Sequence, residues 1–160
     1  MSSTVKLSDL GAKEVRFSKD QPLAASTRAY QTLDQAFPKV EPEHEPFGNL
    51  VLVQIRTAMT RTAGGIELVP GDQETEKWNT QVAKVIAVGP VAFKNRDSME
   101  PWPEGAWFKV GDFVRCPKYG GDRFEVPIPG SPDKAVFAIF EDNDFRARLT
   151  GDPLKVVAYI

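Results

Sequence analysis

Beyond residue 48 the apolar residues fall into short runs separated by glycine, proline and polar clusters. Residues 49–56 (Asn-Leu-Val-Leu-Val-Gln-Ile-Arg) are a β-branched run of strand length, closed by a polar stretch that begins at Thr57. Residues 80–88 predict a second strand. Strict alternation there places Val82, Lys84, Ile86 and Val88 on one face and Ala83, Val85 and Ala87 on the other, and Gly89-Pro90 ends it. A third extended stretch, 107–116, is interrupted at Lys109-Val110-Gly111-Asp112, where Gly-Asp supplies a turn. Further strands are predicted over 123–126, 135–140, 145–149 and 154–160. Six or seven short strands at such close intervals define an all-β fold, an antiparallel sandwich or a small barrel.

The first 45 residues differ from the rest. They are polar and mixed in charge, and end in the Pro-rich acidic run Glu41-Pro42-Glu43-His44-Glu45-Pro46. The chain therefore divides into an N-terminal extension or arm, residues 1–45, and a β domain, residues 46–160. Within the arm Ala29, Leu33, Ala36 and Phe37 recur at helical spacing, predicting one short amphipathic helix over 28–37 that packs on a neighbouring surface. Two intervals of the β domain, 57–79 and 90–106, exceed simple turns; intervals of that length in a small domain carry function or lack order.

Composition narrows the function classes. With 20 Lys plus Arg against 22 Asp plus Glu, the net charge of -2 offers no general attraction for nucleic acid or for an anionic membrane. No stretch approaches the roughly 20 apolar residues of a membrane helix, and the first 15 residues lack the pattern of a secretory signal. Thirteen Pro and 12 Gly break the chain too often for a helical bundle. The only cysteine, Cys116, and the only histidine, His44, cannot supply an internal disulfide or a Cys/His zinc site, and a reducing, cytoplasmic compartment is the simplest setting.

The residues carry no catalytic constellation. Nucleophilic catalysis at Ser or Cys needs an activating base, and His44 lies in the acidic Pro-rich stretch, where a solvated imidazole is expected. The pair Asp142 and Asp144 reads as solvated turn carboxylates. Gly64-Gly65 and Gly120-Gly121 fit neither the Walker pattern nor Gly-x-Gly-x-x-Gly. No enzyme activity, cofactor or metal is expected.

One ordered set of motifs does carry information. A Pro-led entry and strand (46–56) is followed by Ala63-Gly64-Gly65-Ile66-Glu67-Leu68, then by Val85-Ile86-Ala87-Val88-Gly89, then by Lys109-Val110-Gly111-Asp112-Phe113-Val114 before a Gly-containing hairpin. Together these span about residues 46–149 and resemble the GroES-type, or chaperonin-10, co-chaperonin family. The resemblance implies a small, partly open antiparallel β-barrel with long mobile and roof loops. It implies a homo-oligomeric ring, commonly heptameric, that caps a GroEL-type chaperonin ATPase and helps enclosed protein to fold. In that picture a mobile loop places an Ile-x-Leu-like tripeptide in a groove of the chaperonin, which assigns partner binding to Gly64, Gly65, Ile66, Glu67 and Leu68. Physically the assignment is apt. In an extended segment Ile66 and Leu68 point one way and Glu67 the other, and Gly64-Gly65 lets the backbone bend ahead of them. The alternative is that Ile66 and Leu68 start a strand and enter the domain's own core.

By the same resemblance, 89–106 takes the place of the roof hairpin. Phe93 and Trp102 are candidates there for contact with enclosed substrate or a neighbouring subunit, with packing inside the subunit as the other reading. A free edge at 154–160 would be an aggregation liability in a monomer, making Leu154, Val156, Val157, Tyr159 and Ile160 candidates for a subunit interface. The arm, the long roof interval, the tail after Gly151 and the charged Glu67 depart from ordinary bacterial co-chaperonins. The divergence resembles that of phage-encoded members, whose enclosed substrate is a capsid protein. A rival reading is a virion component, capsid or tail, built on the same barrel. The GroES-like domain of zinc-dependent dehydrogenases is discounted, because it needs metal ligands and a nucleotide-binding partner domain that this sequence does not show.

Overall fold

The computed structural model describes residues 32–58 and 80–156. They hold one short helix, α1 (Leu33–Ala36), and six strands: β1 (Leu50–Ile55), β2 (Val82–Val88), β3 (Phe113–Arg115), β4 (Asp122–Pro127), β5 (Lys134–Glu141) and β6 (Ala147–Arg148). They make a single sheet in the order β4-β5-β1-β2-β3-β6, and every neighbouring pair is antiparallel. Among the described residues β4 and β6 do not pair, so the sheet curls round a core without closing. The fold is the small all-β architecture predicted, and β1 is its central strand.

Both faces of β1 are buried because alternation sends its side chains into two cores. Val51, Val53 and Ile55 lie opposite Phe140, Ala138 and Val136 of β5 and meet Ala83, Val85, Val114 and Phe145 in the main core. Leu52 faces the other way, with Ala135 and Phe137, against the half-buried Phe124, Val126 and Ile139. Phe124 and Phe137 are cross-strand partners whose rings stack with centroids 5.8 Å apart.

β2 departs from the predicted alternation. Its register to β1 slips between Leu52↔Ala87 and Val53↔Val85, leaving Ile86 as the extra residue of a β-bulge. Beyond the bulge the phase reverses: Val88 packs against the main core with Ala83 and Val85, and Ala87 joins Ile86 on the opposite face. A period of two cannot foresee a residue outside the ladder. At the end of β2, Gly89 passes so close to the backbone that an added Cβ would sit 2.8 Å from the Leu50 carbonyl oxygen and closer still to that of Gly48. Glycine is required there by space.

The described part of the arm lies on the sheet. Thr32 caps α1 through a capping box with Gln35, each side chain meeting the other's backbone N–H at 3.2 Å. Of the predicted helical window, 28–37, residues 28–31 lie outside the described residues, and Leu33–Ala36 are helical. From Pro38 to Pro46 the chain crosses the outer face: the Gln54 side chain donates to the Pro38 carbonyl (2.7 Å), Val40 joins the second core, and the His44 ring sits 4.2 Å from that of Phe124. His44 is solvent-exposed, as its sequence context suggests. Of the predicted strands, 107–116 is extended only over β3, with the turn at 109–112 in place. Residues 154–156 form turn and bend rather than strand.

Candidate functional site

The interval between Ala58 and Thr80, which contains Gly64, Gly65, Ile66, Glu67 and Leu68, lies outside the described residues; its two roots do not. At the outgoing root the β1 ladder continues one step past the strand, with the Arg56 N–H donating to the Val82 carbonyl (2.9 Å). The next N–H, of Thr57, donates to the carbonyl of Ala36 in α1 (2.8 Å), so the arm takes over where the sheet stops. The Arg56 side chain is 3% exposed. Its Nη1 donates to the carbonyls of Pro153 (2.9 Å) and Val156 (2.7 Å), closing one turn of the tail. Hydrogen bonds from a charged donor are worth about 1.5–3 kcal/mol.

These contacts sit over a separate small apolar cluster. Ala36, Phe37 and Val82 are buried in it, and Phe113, Leu149, Leu154 and Val156 pack around them. The Phe37 and Phe113 rings are 5.2 Å apart. Leu154 and Val156, predicted at a subunit interface, are half-buried here within their own subunit, while Val157, Tyr159 and Ile160 lie outside the described residues.

The returning root is held by different groups. Thr80 is buried, and its carbonyl accepts from Arg123 Nη1 (3.5 Å) and Cys116 Sγ (3.7 Å). Gln81 exchanges hydrogen bonds with Cys116, and its side-chain oxygen accepts from Arg115 (3.1 Å). Arg123 also donates to the carbonyls of Pro117 (3.1 Å) and Gly120 (3.4 Å) while its guanidinium lies over the Phe140 ring, 5.7 Å from the centroid. Burial pushes the Cys116 thiol from 9.0 up to about 11, against the opposing pull of Arg123. A thiol held neutral and buried is inert rather than nucleophilic.

The roof interval leaves the opposite end of the sheet. Phe93 is buried at 6% exposure, edge-on to Trp102 (5.5 Å) and Phe108 (4.9 Å), and the Trp107 ring lies tilted beside that of Trp102 at 4.6 Å. Phe93 is thus packed inside the subunit, and Trp102 is half-buried beside it. Phe93 adopts φ +62°, a left-handed conformation that costs a bulky residue about 1–3 kcal/mol. What holds it is Asp142. Only 3% exposed, its Oδ2 accepts from the Phe93 N–H (2.9 Å) and its Oδ1 from the Asn49 amide (3.3 Å). Asp142 is therefore not the solvated turn residue its sequence context suggests, whereas Asp144 caps the Glu141 N–H at 3.0 Å nearer the surface.

Sequence reasoning also missed Arg56 and Arg123 as anchors. A charge ending an apolar run is the usual mark of a strand leaving the core, and the carbonyls Arg56 reaches lie about a hundred residues away. Among the described residues no group of three or more His, Cys, Asp or Glu is placed to hold a metal, and no helix is long and apolar enough to cross a membrane.

A curled six-stranded antiparallel sheet with two long excursions, one from each end, defines a GroES-like barrel. The family model for the chaperonin 10 Kd subunit matches residues 43–148, and the chain belongs to that family. It is 36% identical over 112 residues to the co-chaperonin GroES of Methylacidiphilum infernorum (isolate V4), a match covering 70% of this chain and 99% of that protein.

Proposed function

We propose that this chain is the subunit of a co-chaperonin ring, seven-fold by analogy with its family, that caps a GroEL-type chaperonin in the cytoplasm while enclosed protein folds. The observation that carries the reading is the family match, whose bounds enclose the sheet, both roots and the interval between them. In this reading Ile66 and Leu68 are the anchors, Gly64 and Gly65 the bend, and Glu67 the solvent-facing spacer.

Magnitudes explain why a ring is part of the mechanism. Burying Ile66 and Leu68 yields roughly 3–6 kcal/mol together. Ordering the backbone that carries them costs about 1–2 kcal/mol per residue, so a single copy binds weakly. Several copies on one ring turn later contacts into intramolecular ones, and avidity supplies the affinity. Weak individual contacts also permit release when the partner's groove changes shape, so the cap cycles with the partner's ATPase and performs no chemistry.

The test is Ile66→Asp in the full chain, assayed by co-sedimentation with a purified GroEL-type chaperonin and by light scattering. The expected result is an intact ring that no longer binds. Undiminished binding, or a wild-type chain that stays monomeric, would overturn the assignment.

A further inference from the structure

Part of what holds the outgoing root flanks the family match. Ala36 and Phe37 precede residue 43, and Leu149, Pro153, Leu154 and Val156 follow residue 148. These two segments, from either side of the matched region, converge on one strand end. Ala36 accepts the Thr57 N–H, Arg56 donates to two tail carbonyls, and the apolar side chains of both segments share one cluster with Val82 and Phe113. The returning root, in contrast, is held by Arg115, Cys116 and Arg123, all within the matched region.

We infer that the two flanking segments form a brace, pinned by Arg56, that fixes the point and direction in which the chain leaves β1 at Thr57 and Ala58, making Arg56 a positioning residue for partner binding. This rests on the co-chaperonin reading above. A strand end whose next N–H has no partner frays. Here the N–H beyond the sheet is taken by the helix carbonyl, and the carbonyls of the tail turn are taken by Arg56. An excursion leaving from a fixed root samples fewer orientations, so less freedom is lost when its anchors are captured. Phe37 and Phe113 supply the apolar floor, and Arg56 supplies the direction.

The brace is tested on the full-length ring with Arg56→Met and Arg56→Lys. Readouts are hydrogen exchange at the Thr57 amide, ring mass, and affinity for a purified GroEL-type chaperonin. Arg56→Met should speed Thr57 exchange and weaken binding by about tenfold, the factor for one charged-donor hydrogen bond. Val53 and Val85 exchange and ring mass should not change, and Arg56→Lys should recover most of the loss. Unchanged Thr57 exchange, unchanged affinity, no recovery in Arg56→Lys, or exchange rising equally at Val53 and Val85 would each overturn the brace. If the wild-type ring fails to bind the chaperonin, the co-chaperonin reading falls, and Thr57 exchange still decides whether the brace exists.

Discussion

The two ends of the sheet solve the same problem by opposite means. At the roof end the long excursion is tied down by Phe93 and Trp102, which pack with Trp107 and Phe108 on the main core, and Asp142 holds the strained backbone of Phe93. At the other end the described residues are the two roots of the interval 59–79. These roots are held by arginines reaching main-chain carbonyls, the buried Arg56 on the way out and the half-buried Arg123 on the way back. An excursion that packs its own side chains spends them on stability. In the co-chaperonin reading proposed above, the interval 59–79 keeps Ile66 and Leu68 for a partner.

The sharpest way to break this contrast is a pair of truncations. Phe37→Ala and Phe93→Ala should each destabilise the subunit by about 3–5 kcal/mol, measured by chemical denaturation. Their local signatures should separate: Phe37→Ala should expose the Thr57 amide, and Phe93→Ala should shift the fluorescence of Trp102 and Trp107. Both signatures appearing in either variant would mean the two ends are one unit. A smaller loss, about 1–3 kcal/mol, is expected for Asp142→Ala, which leaves the Phe93 N–H and the Asn49 amide without their acceptor. If Asp142→Ala melts like the wild type, Asp142 does not hold the roof.

Titration sharpens the contrast further. With its folded value raised from 9.0 to about 11, Cys116 contributes stability that is complete below pH 9 and is lost as pH rises through 11, because only the unfolded chain releases that proton in the window between. Subtracting the denaturation curve of Cys116→Ala from that of the wild type across pH 8–11 should isolate a decline of roughly 2–3 kcal/mol. A flat difference would mean that water reaches the thiol. The smallest effect is on the acid side. The Lys109 N–H, donating at 3.0 Å, and then the Lys109 ammonium at 3.1 Å hold the Asp112 carboxyl below its ordinary 3.8. Stability from this turn should be present above pH 3.8 and fade as pH falls through the lowered folded value, a dependence that Asp112→Asn should abolish in melting curves.

Much of the sheet was legible in the sequence because its strands are discrete β-branched runs with glycine or proline at their ends. Residues 49–56 and 135–140 lie within a residue or two of β1 and β5. Legibility failed where one contact between distant segments decides the outcome. Ile86 bulges because β1 and β2 slip by one residue, and a single strand carries no record of its partner's register. Asp142 is buried because Phe93 needs a partner for its N–H, although both flanking residues suit a solvated turn. Arg56 reads as the polar end of a strand, and only the tail folding back reveals its donors' destination. The start of α1 was within reach, since Thr32-Leu33-Asp34-Gln35 is a capping-box spacing. For the residues proposed to bind the partner, the Gly-Gly-Ile-x-Leu order was the whole signal.

The central position of β1 also sets a clock. Val51 waits for Phe140, about 90 residues later, before its second edge is covered, and at ordinary ribosomal speed that delay lasts roughly 5–20 s. During it a strand apolar on both sides stays half-paired in the nascent chain. Refolding should accordingly belong to the slow, high-contact-order class of small domains, and a subunit that we assign to helping other proteins fold would be exposed, while it is being made, to the hazard it exists to relieve.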